Sequence, residues 1–402
     1  MDVIFDLEGR VGSPTLKIPD RFEVVRSAAG EYQFVSLSGS VRVRSRSSPD
    51  DAFESCLPLL KRGCDVGGLV AVVGPARESE ALEIVKTLSQ WGVLEEVVPS
   101  PPEVMSDQER SRYSEQIKFF SNFQPFPENP PLESEIELYK SNGSFQEKLK
   151  QSSVLLIGLG RVGSRLALGL AQAGVGRILA WDAGKVTAED ARDCGFSPSD
   201  VGAPRQGSLA KEIAALNPLV NYQGLGEEPF WNGAASQLPP NPDLLILAED
   251  QFDPERYSAV NRFCLERRIR WTSYRSLGLK YEIGPMIVPH ETACFKCFEI
   301  RKAANVGAYD EATQKQLLAE SLRLGSLSIT LGYEVLALET IKILTGFSRP
   351  ITYSSLFTFD MLTLQAETHP VLKLPRCPHC SRGLSHRPTL SIWREGGTFE
   401  GL

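Results

Sequence analysis

Hydrophobic residues are concentrated near the middle of the chain, where two short apolar runs flank a glycine-rich turn. The first run, Val154–Ile157, leads into Gly158-Leu-Gly160-Arg-Val-Gly163, and the residues that follow are apolar at helical spacing. The second run ends at Trp181-Asp182. This order predicts a strand, a helix and a parallel strand, which together make the βαβ unit of a Rossmann-like α/β domain.

The residue types in this unit suit a nucleotide. The first glycine allows a tight turn, the second lets backbone N–H groups approach a phosphate, and the third lets the helix pack closely on the strand. Asp182, at the end of the second strand, would accept hydrogen bonds from ribose hydroxyls. A purely structural turn is the alternative, but the strand, helix, second strand and terminal aspartate together favour a nucleotide.

The first hundred residues show a different pattern. Residues 22–26, 32–37 and 40–45 alternate at strand spacing, and helical spacing follows near 52–61 and 78–91. This pattern predicts a winged-helix-like α+β domain over residues 1–105, in which a three-stranded meander precedes the helices. Its sheet edge could bind an extended peptide, or the domain could simply pack on its neighbour.

The rest of the chain divides into three parts. Residues 106–150 are charged and helix-prone, with an interruption rich in proline, and we interpret them as a helical linker. Residues 151–375 form the predicted nucleotide-binding domain, and residues 376–402 form a C-terminal tail.

A further buried strand carries carboxylates at its end. Leu244–Leu247 is a short, continuous apolar run, typical of a strand in a parallel sheet, and Glu249, Asp250 and Asp253 follow it. Ligand sites of open α/β sheets lie at this edge, and carboxylates there coordinate Mg²⁺ beside phosphate oxygens. We interpret Asp250 as functional and Asp253, which precedes Pro254, as a helix N-cap.

Composition excludes several classes of partner. The chain has 402 residues, a formal net charge of -7 and a pI near 5.4, which argue against general nucleic-acid or anionic-membrane binding. Apolar runs do not reach membrane-spanning length, and the N-terminus lacks the basic and apolar regions of a signal peptide. We therefore expect a cytoplasmic protein without a nucleic-acid or membrane partner.

Four of the eight cysteines form two Cys-x-x-Cys pairs, Cys294/Cys297 and Cys377/Cys380. In a reducing compartment such pairs indicate metal binding before disulfides. Four thiolates would make a closed tetrahedral site for structural Zn²⁺, which would join the tail to the core. Two unrelated thiol pairs are the alternative.

The order of these motifs over roughly residues 110–382 resembles a known family. The motifs are Arg112-Tyr-Ser, the glycine turn, the strand ending in Asp182, Asp200-Val-Gly, Asn217-Pro, the acidic strand end, Gly284-Pro-x-x-x-Pro and the two cysteine pairs. They resemble the ATP-dependent carboxylate-adenylating enzymes that include ThiF, MoeB and the ubiquitin-activating (E1) enzymes. The chain is most similar to the branch that modifies ribosomally made peptides (RiPPs), as in microcin C and pantocin A maturation, where a small N-terminal domain clamps the peptide.

The resemblance implies a role for each candidate site residue. The implied roles are phosphate binding by Gly158, Gly160 and Gly163, ribose binding by Asp182, triphosphate binding by Arg192 and magnesium binding by Asp250. It also implies ATP, Mg²⁺ and Zn²⁺ as cofactors, a homodimer, and a precursor peptide bound through its leader. The implied reaction is adenylation of a peptide carboxylate, with pantocin-like modification of glutamate side chains as its most specific form.

The chain departs from the family pattern at three places. Arg205 stands where the family has a lysine, Glu115 replaces an arginine, and the usual Asn-Leu-x-Arg-Gln becomes Asp190-Ala-Arg192-Asp193 with a one-residue gap. An arginine presents a planar fork where lysine presents a point charge, so Arg205 would reach a phosphate differently.

Three functional hypotheses therefore stay open. The first is an ATP-dependent RiPP enzyme, with Arg192, Arg205 and Asp250 as its catalytic residues. The second is a non-catalytic scaffold of the same fold that delivers a leader peptide to another enzyme. The third is a sulfur-carrier or ubiquitin-like activating enzyme, which the lack of a cysteine between Cys297 and Cys377 disfavours.

Overall fold

A computed structural model provides the structure of the protein over most of the chain. It describes residues 15–27, 31–36, 39–44, 52–90, 93–97, 104–123, 144–226, 242–249, 252–277, 280–306 and 327–381. Among the helices in these stretches, none combines the length and the apolar character needed to cross a membrane.

The N-terminal stretches form two small antiparallel sheets and three helices. The elements are β1 (Leu16–Lys17), β2 (Glu23–Arg26), β3 (Glu31–Ser36), β4 (Gly39–Arg44), α1 (Ala52–Arg62), α2 (Val66–Val73), α3 (Glu78–Gln90) and β5 (Glu95–Glu96). Strands β2, β3 and β4 make the predicted meander, and β1 pairs with β5. The two expected helices are confirmed as α1 and α3. Helix α2 has no predicted counterpart, because its run of apolar residues and glycines lacks helical alternation.

One face of the meander covers a small hydrophobic core. Phe34 on β3, Leu60 on α1 and Leu88 on α3 are fully buried together. On the opposite face, Val25 and Val35 are 51% and 37% exposed, respectively. The winged-helix-like sheet therefore has a packed face and a partly apolar outer face.

Three helices connect this unit to the central sheet. They are α4 (Asp107–Arg112), α5 (Ser114–Phe120) and α6 (Ser144–Gln151). The buried Arg21 donates hydrogen bonds to Glu95 and to the carbonyl of Ser121 at the end of α5, each at 3.3 Å. This arginine therefore connects the N-terminal unit to the helices that follow it.

The central sheet has eight strands. They are β6 (Ser153–Ile157), β7 (Arg177–Trp181), β8 (Asn221–Gly224), β9 (Leu244–Leu247), β10 (Arg270–Leu277), β11 (Lys280–Ile283), β12 (Ser355–Asp360) and β13 (Gln365–Pro370). Their order is β13-β12-β11-β10-β9-β6-β7-β8. The five strands from β8 to β10 are parallel, and β11, β12 and β13 extend the sheet antiparallel. The predicted Rossmann-like α/β fold is confirmed.

Helices cover both faces of this sheet. They are α7 (Arg161–Ala173), α8 (Ala188–Asp193), α9 (Arg205–Leu216), α10 (Pro254–Arg267), α11 (Phe295–Val306) and α12 (Leu327–Thr345). One hydrophobic core includes residues of α6, α7, α9 and α12, and the core on the other face includes residues of α10 and α11 with the four paired cysteines. Strands β6 and β9 contribute to both cores, which explains their continuous apolar sequences.

Two of the sequence motifs pack against each other away from the glycine turn. Asn217 donates hydrogen bonds to the hydroxyl of Tyr113 at 2.7 Å and to the carbonyl of Ala171 at 2.6 Å. Arg112 donates to the carbonyl of Leu216 at 2.6 Å. The Arg-Tyr and Asn-Pro motifs therefore hold the connecting helices to the ends of α7 and α9.

The contact between β6 and α7 requires a glycine at position 163. A Cβ atom there would lie 1.9 Å from the carbonyl oxygen of Gly158. We predict that Gly163→Ala lowers the free energy of unfolding by about 3 kcal/mol, because the helix must move away from the strand. Chemical denaturation followed by circular dichroism measures this change.

Gly169→Ala provides the control on the same helix. A Cβ atom at Gly169 would meet nothing within 4 Å. Because alanine favours a helix interior over glycine by about 1 kcal/mol, this variant should be as stable as the wild type or more stable. Equal stability of the two alanine variants would contradict the proposed close packing.

Candidate functional site

The glycine turn lies at the carboxyl edge of the parallel strands. Gly158 has a φ of +91°, and a Cβ atom there would lie 2.9 Å from the carbonyl oxygen of Ala248, just after β9. Helix α7 begins directly after Gly160, and no side chain forms a capping hydrogen bond at this N-cap. The first amides of this thirteen-residue helix therefore form a place where an anion can bind.

Asp182 lies directly beside this turn, as the sequence predicts. Its carboxylate accepts hydrogen bonds from the amides of Leu159 and Gly184, both at 2.6 Å. One of its oxygens is also 3.4 Å from Nη1 of Arg205. The carboxylate is therefore fixed in orientation, and a ribose would have to share it with these three donors.

Arg205 begins helix α9 and lies between two carboxylates. Its Nε and Nη2 atoms donate to Oδ2 of Asp190 at 3.1 and 2.8 Å. Burial alone would raise the pKa of Asp190, but hydrogen bonds from Thr187 and Arg205 lower it overall. The structure therefore brings Arg205 to Asp182, although the guanidinium is held mainly by Asp190.

Arg192 is placed differently. It lies near the end of α8 with its side chain 72% exposed, and its guanidinium pairs with Asp193 at 3.3 Å. Arg161, between the second and third glycines, pairs with Glu189 at 2.7 Å and is only 17% exposed. Arg161 is therefore a second candidate phosphate ligand, which sequence reasoning missed because it occupies a variable position of the glycine motif.

Glu249 is a second carboxylate beside the glycine turn. A Cβ atom on Gly158 would lie 3.1 Å from Cγ of Glu249. Oε1 of Glu249 accepts a hydrogen bond from Arg256 at 2.8 Å, and its buried Oε2 has no hydrogen-bond partner among the described residues. The predicted magnesium ligand, Asp250, lies outside the described residues. Asp253 caps α10 by accepting from the Glu255 amide, which confirms its predicted role as an N-cap.

The carboxylate oxygens of Glu249 fit a hard cation such as Mg²⁺. An unpaired, buried carboxylate oxygen beside a phosphate-binding turn is the ligand type that Mg²⁺ prefers. Burial raises the pKa of Glu249 to about 7, while Arg256 opposes the shift. A nearby divalent cation would favour the ionised form.

The four paired cysteines lie together in the core on the face of the central sheet that α10 and α11 cover. All four are buried, and their Sγ atoms lie within 4.8 Å of one another. Sγ of Cys294 is 3.5 Å from that of Cys377, and Sγ of Cys297 is 3.6 Å from that of Cys380. Four sulfurs around a tetrahedral Zn²⁺ with bonds of about 2.3 Å would be about 3.8 Å apart, so the donor set fits this ion.

Neighbouring groups favour the thiolate form of Cys297, whereas a hydrogen bond with Cys297 raises the pKa of Cys294 and burial raises that of Cys380. A hydrogen bond from Cys294 lowers the pKa of Cys297 to about 4. The amide of Leu374 also lies 3.4 Å from Sγ of Cys297. Asn261 joins the two halves of the cluster, because it accepts from the Phe295 amide and lies 3.2 Å from Nδ1 of His379.

Fold and site together define a class: a Rossmann-like nucleotide-binding protein with an appended winged-helix-like unit and a four-cysteine cluster. Within that class, the chain belongs to the ThiF family, whose sequence profile matches residues 132–380. The predicted ATP-dependent adenylating enzyme of the ThiF/E1-like type is thereby confirmed.

Curated relatives match more than half of the chain. The sulfur carrier protein adenylyltransferase of Thermus thermophilus is 29% identical over 244 residues, which are 58% of this chain and 84% of that protein. The heterocyst HesA protein of Trichormus variabilis is 28% identical over 236 residues, 58% of this chain and 82% of that protein.

Solved structures are similar over nearly the whole chain. E. coli MccB, crystallised with MccA-N7isoASN, aligns with a TM-score of 0.62 at 14% identity, over 91% of this chain and 99% of MccB. Selenomethionine PaaA aligns with a TM-score of 0.63 at 18% identity, over 88% of this chain and all of PaaA. At these identities the similarity establishes the fold, including the N-terminal unit.

We predict that the protein, purified under reducing conditions without chelator, contains about one zinc ion per chain. Cys377→Ala should lose most of this metal, because the remaining three thiolates leave the closed site incomplete. Elemental analysis by mass spectrometry gives the stoichiometry. Cys56→Ala, which removes a buried cysteine of the N-terminal unit, should retain the wild-type zinc content. Zinc-free wild-type protein, or full retention in Cys377→Ala, would disprove the assignment.

The raised pKa of Glu249 predicts a pH-dependent stability. Because the folded protein holds this proton more tightly than the unfolded chain, the free energy of unfolding should fall as the pH rises from about 4.5 to about 7. Glu249→Gln should lack this contribution, so its stability relative to the wild type should rise by about 3 kcal/mol between pH 4 and pH 8.

Denaturation of both proteins in metal-free buffer across this pH range tests the prediction. Glu255→Gln is the control, because it removes an exposed carboxylate from the first turn of α10, the helix that follows Glu249 in the chain. A parallel pH dependence for Glu249→Gln and wild type would show that Glu249 titrates normally.

Proposed function

We propose that the protein uses ATP to adenylate a carboxylate of a ribosomally made precursor peptide during natural-product maturation. The observation that carries this proposal is the meeting of three groups at one sheet edge: the open N-terminus of α7, the fixed carboxylate of Asp182 and the buried carboxylate of Glu249. They match the phosphate, ribose and cation-binding groups that a nucleoside triphosphate requires.

The N-terminal unit supports a peptide as the substrate. Its meander has two edge strands, β2 and β4, and the outer face carries Val25 and Val35. An extended peptide that adds to such an edge gains main-chain hydrogen bonds and contacts with alternate side chains. Crystal structures of MccB, which shares the fold over 91% of this chain, include complexes with MccA and with ATP. We extend that pairing to this protein as part of the proposal.

The reaction follows from the groups present. A carboxylate oxygen of the peptide attacks the α-phosphorus of ATP, the bond to the bridging oxygen breaks, and pyrophosphate leaves. The α7 amides and Arg161 hold phosphate oxygens, and Asp182 orients the ribose, so catalysis consists mainly of positioning and charge stabilisation. When Mg²⁺ is bound, held by Glu249 and by Asp250 as predicted, it neutralises phosphate charge.

Both predicted arginines need a rearrangement to act on the nucleotide. Arg205 is engaged by Asp190 and Asp182, and it reaches a phosphate only when nucleotide replaces its contact with Asp182. The side chain of Arg192 is exposed on α8 and can change its orientation, because Asp193, with which it pairs, is its neighbour in the sequence. We assign Arg205 to the ribose side and Arg192 to the triphosphate side of the site.

The most specific part of the proposal is the bond that the activated carboxylate forms. Adenylation makes the carbonyl carbon electrophilic, with AMP as the leaving group, and a nucleophile from the same peptide completes the bond. A glutamate side chain, as in pantocin-like chemistry, is the proposed carboxylate. The predicted homodimer belongs to the same proposal, and Leu331 and Leu338 on α12, 46% and 45% exposed, are its candidate contacts.

One observation favours a non-catalytic scaffold as the second candidate. The contact between Arg205 and Asp182 occupies part of the ribose position, and an arginine fixed in this way could replace nucleotide rather than bind it. The sulfur-carrier activity of the Thermus relative is a third candidate, but this chain offers no cysteine between Cys297 and Cys377 to accept the activated group.

Calorimetric titration with ATP and Mg²⁺ distinguishes the first two candidates. We expect micromolar affinity for the wild type and a loss of about tenfold or more for Asp182→Asn, because a lost hydrogen bond to a charged group costs about 1.5–3 kcal/mol. Asp243→Asn, whose carboxylate accepts from the Ser153 amide at the opposite end of the strands, is the control.

Pyrophosphate release in the presence of the precursor peptide from the neighbouring genes then tests adenylation itself. We expect release that depends on both ATP and peptide, together with a mass change in the peptide. Peptide binding without ATP binding would establish the scaffold, and transfer of AMP to a Gly-Gly carrier protein would establish the third candidate.

A further inference from the structure

A buried group of charges lies next to the candidate site, on the strand beyond Glu249. Arg275 on β10 is directly opposite Glu282 on β11, and the two side chains form an ion pair while only 5% and 9% exposed. Lys302 on α11 places its ammonium 3.6 Å from Oε1 of Glu282. Two cations, one buried and one partly exposed, therefore share one buried anion.

Aromatic rings surround the guanidinium. Cζ of Arg275 lies 4.9 Å from the ring centre of Phe252, 5.1 Å from that of Phe298 and 5.9 Å from that of Tyr257. Ring faces stabilise a cation without neutralising it. Among the described residues, the Nε–H of Arg275 has no hydrogen-bond acceptor although it is buried. A buried donor without an acceptor is costly, so the Nε–H of Arg275 calls for an acceptor such as an anion.

The topology places this group beside the candidate nucleotide site. Strands β6, β9 and β10 are adjacent and parallel, and the register pairs Leu247 with Ser273, which brings the positions of Glu249 and Arg275 side by side at the carboxyl edge. The glycine turn follows β6, two strand spacings or about 10 Å from β10. With the nucleotide phosphates proposed at α7, the β10 side of this edge is left for the attacking carboxylate.

We propose that Arg275 and Lys302 form a subsite that binds a carboxylate of the substrate peptide and positions it for activation. This inference rests on the proposed adenylation and names the residues that select an anionic substrate group. Arg275 offers its unused Nε–H, and Lys302 offers an ammonium that is 37% exposed and can turn toward the ligand. Glu282 orients both cations.

The electrostatics of the cluster agree with this role. Burial lowers the pKa of Lys302, Glu282 opposes the shift, and the like charge of Arg275 adds to it. An arriving carboxylate would relieve the repulsion between the two cations and fill the vacant acceptor position of Arg275. An ionised carboxylate is also the form that attacks phosphorus.

Glutarate, the dicarboxylate that corresponds to a glutamate side chain, serves as the probe. In the NMR spectrum of ¹⁵N-labelled full-length protein, titration with glutarate should give a saturable shift of the Arg275 Nε–H resonance. This resonance is assigned by its absence from the spectrum of Arg275→Lys. Lys302→Gln should weaken glutarate binding about tenfold, because it removes one charge-assisted hydrogen bond. A merely structural role of the cluster would not give a ligand-dependent shift at this atom.

Lys280→Gln is the matched control. Lys280 lies on the same strand as Glu282, but its side chain is 63% exposed and pairs with Asp360 at 3.5 Å. This variant should bind glutarate like the wild type. Because Arg275 is buried, circular dichroism is used to check that Arg275→Lys folds. If Arg275→Lys does not fold, the glutarate titration of Lys302→Gln decides whether the subsite exists.

The remaining outcomes separate this subsite from the proposed function. No saturable shift, or equal glutarate affinity in Lys302→Gln and wild type, overturns the subsite. If Lys302→Gln weakens the binding of inorganic phosphate but not that of glutarate, the two cations belong to the nucleotide site. This result would also overturn the carboxylate subsite. Glutarate binding in a protein that does not bind ATP would retain the subsite and reject adenylation.

Discussion

The structure depends on how closely helix α7 approaches strand β6. Gly163 leaves no room for even a methyl group against the carbonyl of Gly158, and this contact places the first amides of α7 at the edge of the sheet. The same turn is set against β9 by the carbonyl of Ala248 and against β7 by the hydrogen bond to Asp182. The strands β6, β7 and β9 are thus aligned around one turn. The residues that follow these three strands form the candidate site.

Those residues carry a dense arrangement of charge. Asp182, Asp190 and Glu249 provide negative charge, and Arg161, Arg205 and Arg256 pair with carboxylates in or beside the site. Such pairs hold the site in a defined shape, but each one must be exchanged or shared when a nucleotide arrives. Binding free energy is therefore partly spent on breaking internal ion pairs. The replacement of lysine by Arg205 increases this cost, because a planar fork engages a carboxylate with two nitrogens.

The sequence predicts the βαβ unit, the meander and the convergence of four cysteines, because each depends on a local pattern or on a residue type with few alternative uses. Helix α2 escapes prediction because a run of valines and glycines has no periodicity. Arg161 escapes it because it occupies a position that the glycine motif leaves variable, and it pairs with Glu189, which is distant in sequence. Glu249 is recognised from the sequence as a strand-end carboxylate, but its closeness to Gly158 follows only from the structure.

The Arg275 cluster shows the same limit. Its members come from β10, β11 and α11, and only strand pairing brings Arg275 opposite Glu282. The Arg-Tyr and Asn-Pro motifs, which contribute to the family resemblance, serve packing in the structure, since Tyr113 and Asn217 hydrogen bond to each other. Local sequence therefore defines the nucleotide half of the site well, whereas the substrate half depends on tertiary contacts.

The cysteine cluster connects positions that are 83 residues apart. With a metal bound, the chain between the two pairs becomes a closed ring that contains α12 and the antiparallel strands β12 and β13. A protease that cuts this ring once would not release a fragment, because the ion would hold both new ends to the same body. The nicked protein would come apart only when a chelator removed that ion, so metal supply would determine how well the molecule survives damage.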